Sequence, residues 1–192
     1  MEWFRSIILR SLADTLDLLK DDESYIHMRL PIAKITKDFE NSLRSKTDDK
    51  LKNIKIRKAR KNDMDTFIKL HKHIWESTNM PYKPFSRDIL MKLIEDPNVI
   101  FLIAKLNDKD VGFGIIHYTG EKNHIGVISA LGVIPNLQEK GFGTILGLEI
   151  WNYFKKKGVE ELRCRVSKDN KKAYFFIKNL GFQEFDDYIG TQ

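Results

Sequence analysis

Gln138, Glu139, Lys140, Gly141, Phe142, Gly143 and Thr144 stand in a row between a strand-like run closing on Val133-Ile134-Pro135 and a long amphipathic helical pattern. Two glycines one residue apart let the backbone curl tightly, with no Cβ in the way. The curl opens straight into a helix start, where orphan N–H groups and the helix dipole favour an anion. Lys140 adds a positive charge beside it. Such a loop is a pocket for a pyrophosphate, and it points to a nucleotide-containing cofactor.

Three glycine-loop chemistries compete for this stretch. A P-loop needs Gly, four residues, then Gly-Lys-Ser/Thr, and no Gly-Lys-Ser/Thr occurs. A dinucleotide fingerprint seats its first glycine against a strand end. Here residues 135–140 intervene, Leu146 takes the third-glycine position and Gly147 comes one place late. The third is an acetyl-CoA loop. Ala130-Leu131-Gly132-Val133-Ile134-Pro135 followed by Gln138-x-x-Gly141-x-Gly143 resembles the signature of the GNAT N-acetyltransferase superfamily. The stretch from Asn170 through Tyr174 to Gly181-Phe182 is similar to that family's last helix and the Gly-Phe after it. Ala173, Phe176, Ile177 and Leu180 give it one apolar face, and Gly181 suits a left-handed stop.

The resemblance implies direct attack of an amine on the thioester of acetyl-CoA, without an acyl-enzyme. Backbone N–H groups of residues 138–144 would hold the pyrophosphate. The backbone of Leu131, Gly132 and Val133 would pair with the pantetheine amides as an added strand. The Val133 N–H would polarise the thioester carbonyl, an effect worth ~3 kcal/mol elsewhere. Asn170 would fix the pantetheine arm or simply cap its helix, with Ala173 and Phe176 joining the cofactor contacts.

Proton handling departs from the family pattern. Many members carry a glutamate on the strand before the loop, whereas Ile125, Gly126, Val127, Ile128 and Ser129 offer no carboxylate. Many place a tyrosine seven residues after the helix-start Asn, where Ile177 stands. Tyr174, one turn earlier, is either a substitute acid or a packing aromatic. His117 and His124 are the nearest titratable groups by strand position, and Glu76 can enter from the acceptor side. In this fold the acceptor site lies between the first two helices and the last strands, where Trp75, Glu76, Tyr82 and Asp88 fall. That acidic-aromatic lining suits an amine. The acceptor stays open among peptide N-termini, lysines, polyamines, aminoglycosides and small amines.

The elements that must position these groups follow from periodicity. Residues 1–53 read as a helical extension and linker. Phe4, Ile8, Leu12, Leu16 and Leu19 form one stripe. Asp21-Asp22-Glu23-Ser24 breaks it, and a second helix begins near Pro31 with Ile32, Ile35, Phe39 and Leu43 along one face. Residues 45–52 read as linker. From Ile54 the order is β-α-α-β-β-β-α-β-α-β, with Ser86 capping the second helix and a hairpin across Asn107-Asp108-Lys109-Asp110.

A hydrophobic fraction of 42% fits a globular protein. No apolar run approaches a membrane span, and the N-terminus lacks a signal peptide's apolar core. The single cysteine, Cys164, fits a reducing cytoplasm and reads as a buried inert thiol. The net charge is +6. Charges balance through residue 53, so the excess lies in the catalytic half. It suits polyanionic CoA. Nucleic acid is the rival, but the lysines are scattered, and Lys155-Lys156-Lys157 is explained by a helix C-terminus before Gly158. His71 and His73 point to different helix faces, and no metal site is assigned.

The expectation is a mixed-sheet α/β GNAT fold over residues 54–192 with an N-terminal helical extension over 1–53. The resemblance implies an acetyl-CoA-dependent N-acetyltransferase, expected to be cytoplasmic and to act on an amine of a peptide or small molecule. The alternative is a weak or inactive CoA-binding sensor or interaction module. The family usually adds one more strand beyond the one starting at Phe182, whereas this chain stops at Gln192. That implies a sheet edge or gap. The extension would cover it in cis, or a second copy would cover it in a homodimer.

Overall fold

Ile26, Met28 and Leu30 alternate strictly with Tyr25, His27 and Arg29 in the segment Tyr25–Pro31. A period of two makes a strand with one apolar face. The computed structural model, which describes residues 24–47, 53–78 and 84–186, places a strand there, β1. The expectation of an N-terminal segment built only of helices and linker is corrected at this point. Its apolar stripe, Phe4, Ile8, Leu12, Leu16 and Leu19, lies outside the described residues. The second expected helix starts at Lys37 and not near Pro31, which ends β1: α1 (Lys37–Arg44) follows a 3-10 turn over Ile32–Lys34 and is capped by Thr36 Oγ1, which accepts from the Phe39 N–H at 3.2 Å. Leu43 is buried on α1, whereas Ile35, buried too, precedes the helix and is not on its face.

From residue 54 the elements follow the expected order. They are β2 (Ile54–Lys58), α2 (Met64–Trp75), α3 (Arg87–Glu95), β3 (Val99–Leu106), β4 (Lys109–Thr119), β5 (Ile125–Val133), α4 (Phe142–Lys155), β6 (Glu161–Ser167), α5 (Lys171–Asn179) and β7 (Gln183–Glu184). Ser86 Oγ caps α3 by accepting from the Ile89 N–H. The β3–β4 turn is shorter than the four residues expected. Asn107 and Asp108 both take positive φ, the two-residue geometry that matches strand twist.

The seven strands form one mixed sheet in the order β2-β3-β4-β5-β6-β1-β7. Among the described residues only β5 and β6 run parallel. β1 lies antiparallel to β6 from Tyr25↔Ser167 to Pro31↔Glu161, and β7 reaches the sheet through β1 at Met28↔Glu184 and Arg29↔Gln183. The segment before residue 54 thus supplies an interior strand. Met28 is fully buried because both its strand neighbours and α4-side core cover it.

Each sheet face carries its own core. On one, Leu102, Ile128, Leu162 and Met28 meet Phe142, Trp151 and Phe154 of α4. On the other, Phe101, Phe113 and Ile115 meet Phe67, Leu90 and Leu93 of α2 and α3. α1 fastens over the outside of α4, with Phe39 stacked on Trp151 at 5.9 Å and Lys155 3.4 Å from Glu40.

Two irregularities interrupt this regular sheet. Ile115 pairs with Ala130 but Ile116 pairs with Ile128, so Ser129 is an extra residue in β5. Such a bulge bends its strand and re-aims a side chain. The parallel ladder of β5 with β6 ends at Ile128↔Cys164, so the two strands part from Ser129 onward.

Candidate active site

The split between β5 and β6 has a backbone edge of known polarity. The Ile134 N–H donates to the Val111 carbonyl on β4 at 2.9 Å. Antiparallel strands alternate their hydrogen-bonding residues. Val133 and Leu131, which face Gly112 and Gly114, therefore turn their amides away from β4 and into the split. The Val133 carbonyl accepts from Gln138 Nε2 at 2.9 Å, so the loop is pinned to the end of β5 and the Val133 N–H points into the gap.

After the 3-10 turn Pro135–Leu137 the loop needs left-handed backbone twice, at Glu139 (φ 63°) and Gly141 (φ 86°), and α4 starts at Phe142. The N–H groups of Phe142, Gly143 and Thr144 belong to its first turn, where no intrahelical acceptor exists. The Phe142 ring is buried in the core, so toward the loop it offers its backbone. Gly132 is buried too, and a Cβ there would meet the Phe113 ring at 2.7 Å. The glycines of the loop are demanded by protein contacts as well. A Cβ on Gly141 would stand 2.9 Å from Thr47, and one on Gly143 would stand 3.1 Å from the Phe176 ring. Lys140 is exposed, and Glu139 reaches across to Lys172 at 2.8 Å, tying the loop to the start of α5. There Asn170 Oδ1 accepts from the Ala173 N–H at 3.0 Å, a helix cap. A pyrophosphate at the loop, continued by an amide-bearing chain along β5, fits this donor set.

On the opposite sheet face from α4, Nδ1 of His117 lies 2.7 Å from Ser129 Oγ. His117 pairs with Val127, Val127 with Arg163 and Arg163 with Arg29, so all share one face. The bulge is what brings Ser129 to His117, and nothing in the sequence marks it. Burial holds the His117 imidazole down at about 4. His71, 2% exposed among the rings of Phe67, Trp75, Phe85 and Phe113, is also held at about 4 by burial. Both are neutral at pH 7. Their folded values lie below the ordinary 6.5, so the unfolded chain takes up protons first on acidification. Their contribution to stability is complete above 6.5 and drains as pH falls toward 4. Urea midpoints should therefore drop between pH 7.5 and pH 5, and His71→Phe should flatten that drop. An unchanged slope in the variant would count against a neutral buried His71.

Other expected residues take other places. The Tyr174 hydroxyl donates to the Glu184 carboxylate and accepts from Lys178 at 3.1 Å, turned toward β7. Glu76 stands 3.8 Å from Lys72 on the surface of its helix end. Trp75 packs its ring 5.2 Å from His71. Tyr82 lies outside the described residues. Burial pushes the Cys164 thiol up, which leaves it a poor nucleophile. Among the described residues no three His, Cys, Asp or Glu side chains cluster as a metal site would require, and no helix is long and apolar enough to cross a membrane.

Residues 64–182 match the family model described as the acetyltransferase (GNAT) family. The chain is 29% identical over 141 residues to an uncharacterized N-acetyltransferase of Methanocaldococcus jannaschii, covering 70% of this chain and 62% of that protein. It thus spans less than two thirds of that relative's length. An aminoglycoside acetyltransferase from an uncultured soil metagenomic sample, solved with sisomicin, superposes with a TM-score of 0.58 at 23% identity over 73% of this chain and 95% of that one. The PaiA N-acetyltransferase of Thermoplasma acidophilum, solved with coenzyme A, gives 0.58 at 24% identity over 66% and 87%. At these identities the two structures share the fold with this chain.

Proposed function

Since the chain belongs to the GNAT acetyltransferase family, we propose that it transfers the acetyl group of acetyl-CoA to an amine by direct attack. The observation that carries this reading is the parted edge of β5, where the Val133 N–H faces the gap beside a loop of first-turn amides. In the proposed reaction the amine nitrogen bonds to the thioester carbon, the carbon–sulfur bond breaks, the amine gives up a proton and the thiolate takes one.

The residues divide this work. Amides of Gln138, Glu139, Lys140, Gly141, Phe142, Gly143 and Thr144 hold the pyrophosphate, with Lys140 adding a screened charge. Leu131 and Val133 align the pantetheine as an added strand, while Asn170, Ala173 and Phe176 wall it from α5. The Val133 N–H stabilises charge growing on the thioester oxygen. Ser129 Oγ receives the amine's proton and relays it through its 2.7 Å contact with His117 Nδ1, an imidazole that burial makes a weak base and so a transient carrier of the proton. Acceptor contacts from Trp75, Glu76 and Tyr82 belong to the same proposal.

One observation favours a second reading, a CoA-binding module without turnover: the Tyr174 hydroxyl is already engaged by Glu184 and Lys178. Calorimetry with acetyl-CoA and thiol release against a panel of amines separate the two. Saturable binding with amine-dependent thiol release is expected. Ser129→Ala should lower kcat about tenfold with CoA affinity unchanged. Binding without release by any amine would favour the module. No binding at all would sink both.

A further inference from the structure

We infer that the ring of Phe175 stacks on the adenine of CoA and that Lys172 receives its 3′-phosphate, so the chain grips the adenosine end of its cofactor as well as the pyrophosphate. This rests on the acetyl-transfer reading above and adds a subsite to it. Phe175 is the only large apolar side chain among the described residues that stands exposed, at 61%. Singly exposed apolar residues are common on surfaces, so its place decides what it is for.

α5 touches the glycine loop at two points. Lys172 Nζ lies 2.8 Å from Glu139, and the Phe176 ring packs on Gly143, where a Cβ would stand 3.1 Å from it. Phe175 directly precedes Phe176. It follows Lys171 by four residues and Lys172 by three, the spacings of neighbours on a helix surface. Helical side chains lean toward the N-terminus of their helix. The ring therefore overhangs the first turn of α5, which is the turn that reaches the loop. Tyr174 meets it in a T-shaped contact, 5.3 Å between centroids, and Tyr174 is itself fixed by Glu184 and Lys178. The Phe175 ring is thus braced from its own helix and still largely open to solvent.

The covalent structure of CoA supplies the rest. The molecule continues from its pyrophosphate in two directions. The pantetheine runs inward along β5, so the adenosine leaves the loop on its solvent side. Glu139 and Lys172 mark that side, because both are exposed. An aromatic face and an ammonium stand there one helical turn apart. Stacking on an aromatic ring tightens binding of a base by roughly tenfold. The Lys172 ammonium carries three donors. Glu139 engages one, which leaves two for a phosphate. The same ammonium offsets the Glu139 carboxylate, which would otherwise repel a polyanion at this loop. Lys140 and Lys171 add exposed positive charge beside it.

The test is calorimetry of the full chain with CoA, 3′-dephospho-CoA and 4′-phosphopantetheine. Wild type should bind CoA about tenfold tighter than dephospho-CoA at low salt, and added salt should erode the difference. Lys172→Gln should erase that difference, and Lys172→Arg should keep part of it. Phe175→Ala should weaken CoA and dephospho-CoA by about tenfold and leave 4′-phosphopantetheine unchanged. Phe175→Trp reads the stack directly. Its fluorescence in excess of wild type should be quenched by dephospho-CoA and not by 4′-phosphopantetheine. Melting temperatures should hold in all four variants, because both side chains are exposed. Equal wild-type affinity for CoA and dephospho-CoA would overturn the Lys172 assignment. So would a loss in Lys172→Gln that is the same for all three probes, since that residue would then serve Glu139 alone. Unchanged CoA affinity in Phe175→Ala would overturn the adenine stack, and a smaller mass of that variant by light scattering would give the ring to a second copy instead. A wild-type chain that binds CoA no tighter than 4′-phosphopantetheine loses this inference alone. A chain that binds no CoA loses the acetyl-transfer reading, and this inference with it.

Discussion

A chain lacking residues 1–31 is expected to lose its cooperative unfolding transition. β1 is the interior partner of two strands, and β7 pairs with the sheet through it. Removing it strips seven paired positions from β6 and leaves β7 without the neighbour it is paired to. Met28 and Leu30, 0% and 1% exposed, go with it. Each buried side chain of this size contributes about 2 kcal/mol. Together with the lost ladder this rivals the whole stability of a small domain, roughly 5–15 kcal/mol. The bared edge of β6 would also invite strand addition by other chains. A point change grades the effect: Met28→Ala should cost about 3 kcal/mol, because a fully enclosed site cannot collapse around the gap. Urea unfolding followed by circular dichroism, with light scattering for mass, reads both. A truncated chain with the wild-type midpoint and mass would show β1 to be dispensable. The same mass measurement on the full chain reads the proposed homodimer.

Val133→Pro is expected to cut kcat by about a hundredfold to a thousandfold, the usual loss for one oxyanion donor. The substitution suits the question because the Val133 amide faces the split, so proline removes a proposed catalytic donor without breaking the ladder to β4. Val133 is buried, so the smaller ring also costs packing. Val133→Ala separates the two effects. It keeps the N–H and should lower stability by about 1–2 kcal/mol with kcat nearly unchanged. Equal kcat losses in the two variants would assign the effect to packing and remove Val133 from the oxyanion role. Tyr174→Phe serves as a contrast. Its hydroxyl is given to Glu184, so its loss should leave kcat nearly unchanged, and a large fall in kcat would return Tyr174 to the role of acid.

The loop, the helices and most strands were legible along the chain because their signals are local. Gly141 stands at positive φ, Asn170 and Ser86 cap their helices and Gly181 ends α5 in the left-handed region, each as its residue type required. Apolar spacing also placed the elements from residue 54 in the order that the sheet and helices take. β1 carried its own alternation, Ile26, Met28 and Leu30 against Tyr25, His27 and Arg29. Seven such residues between an acidic break and a helix start pass easily for a connection.

Tertiary structure alone decided the rest, since each remaining feature is a pairing between residues far apart in the chain. β1 chooses the slot between β6 and β7 across more than a hundred residues. No local propensity encodes which strand edge a segment joins, because sheet energetics reside in cross-strand neighbours. The extra residue at Ser129 is visible only against the register of β4, and with it the contact to His117. Gly141 and Gly143 read as room for a ligand, and folding adds Thr47 and Phe176 as neighbours that need the same space. The arginines of β1 and β6 are ordinary surface charges in sequence. Arg29 and Arg163 become direct neighbours only when the antiparallel register of β1 with β6 sets them opposite one another.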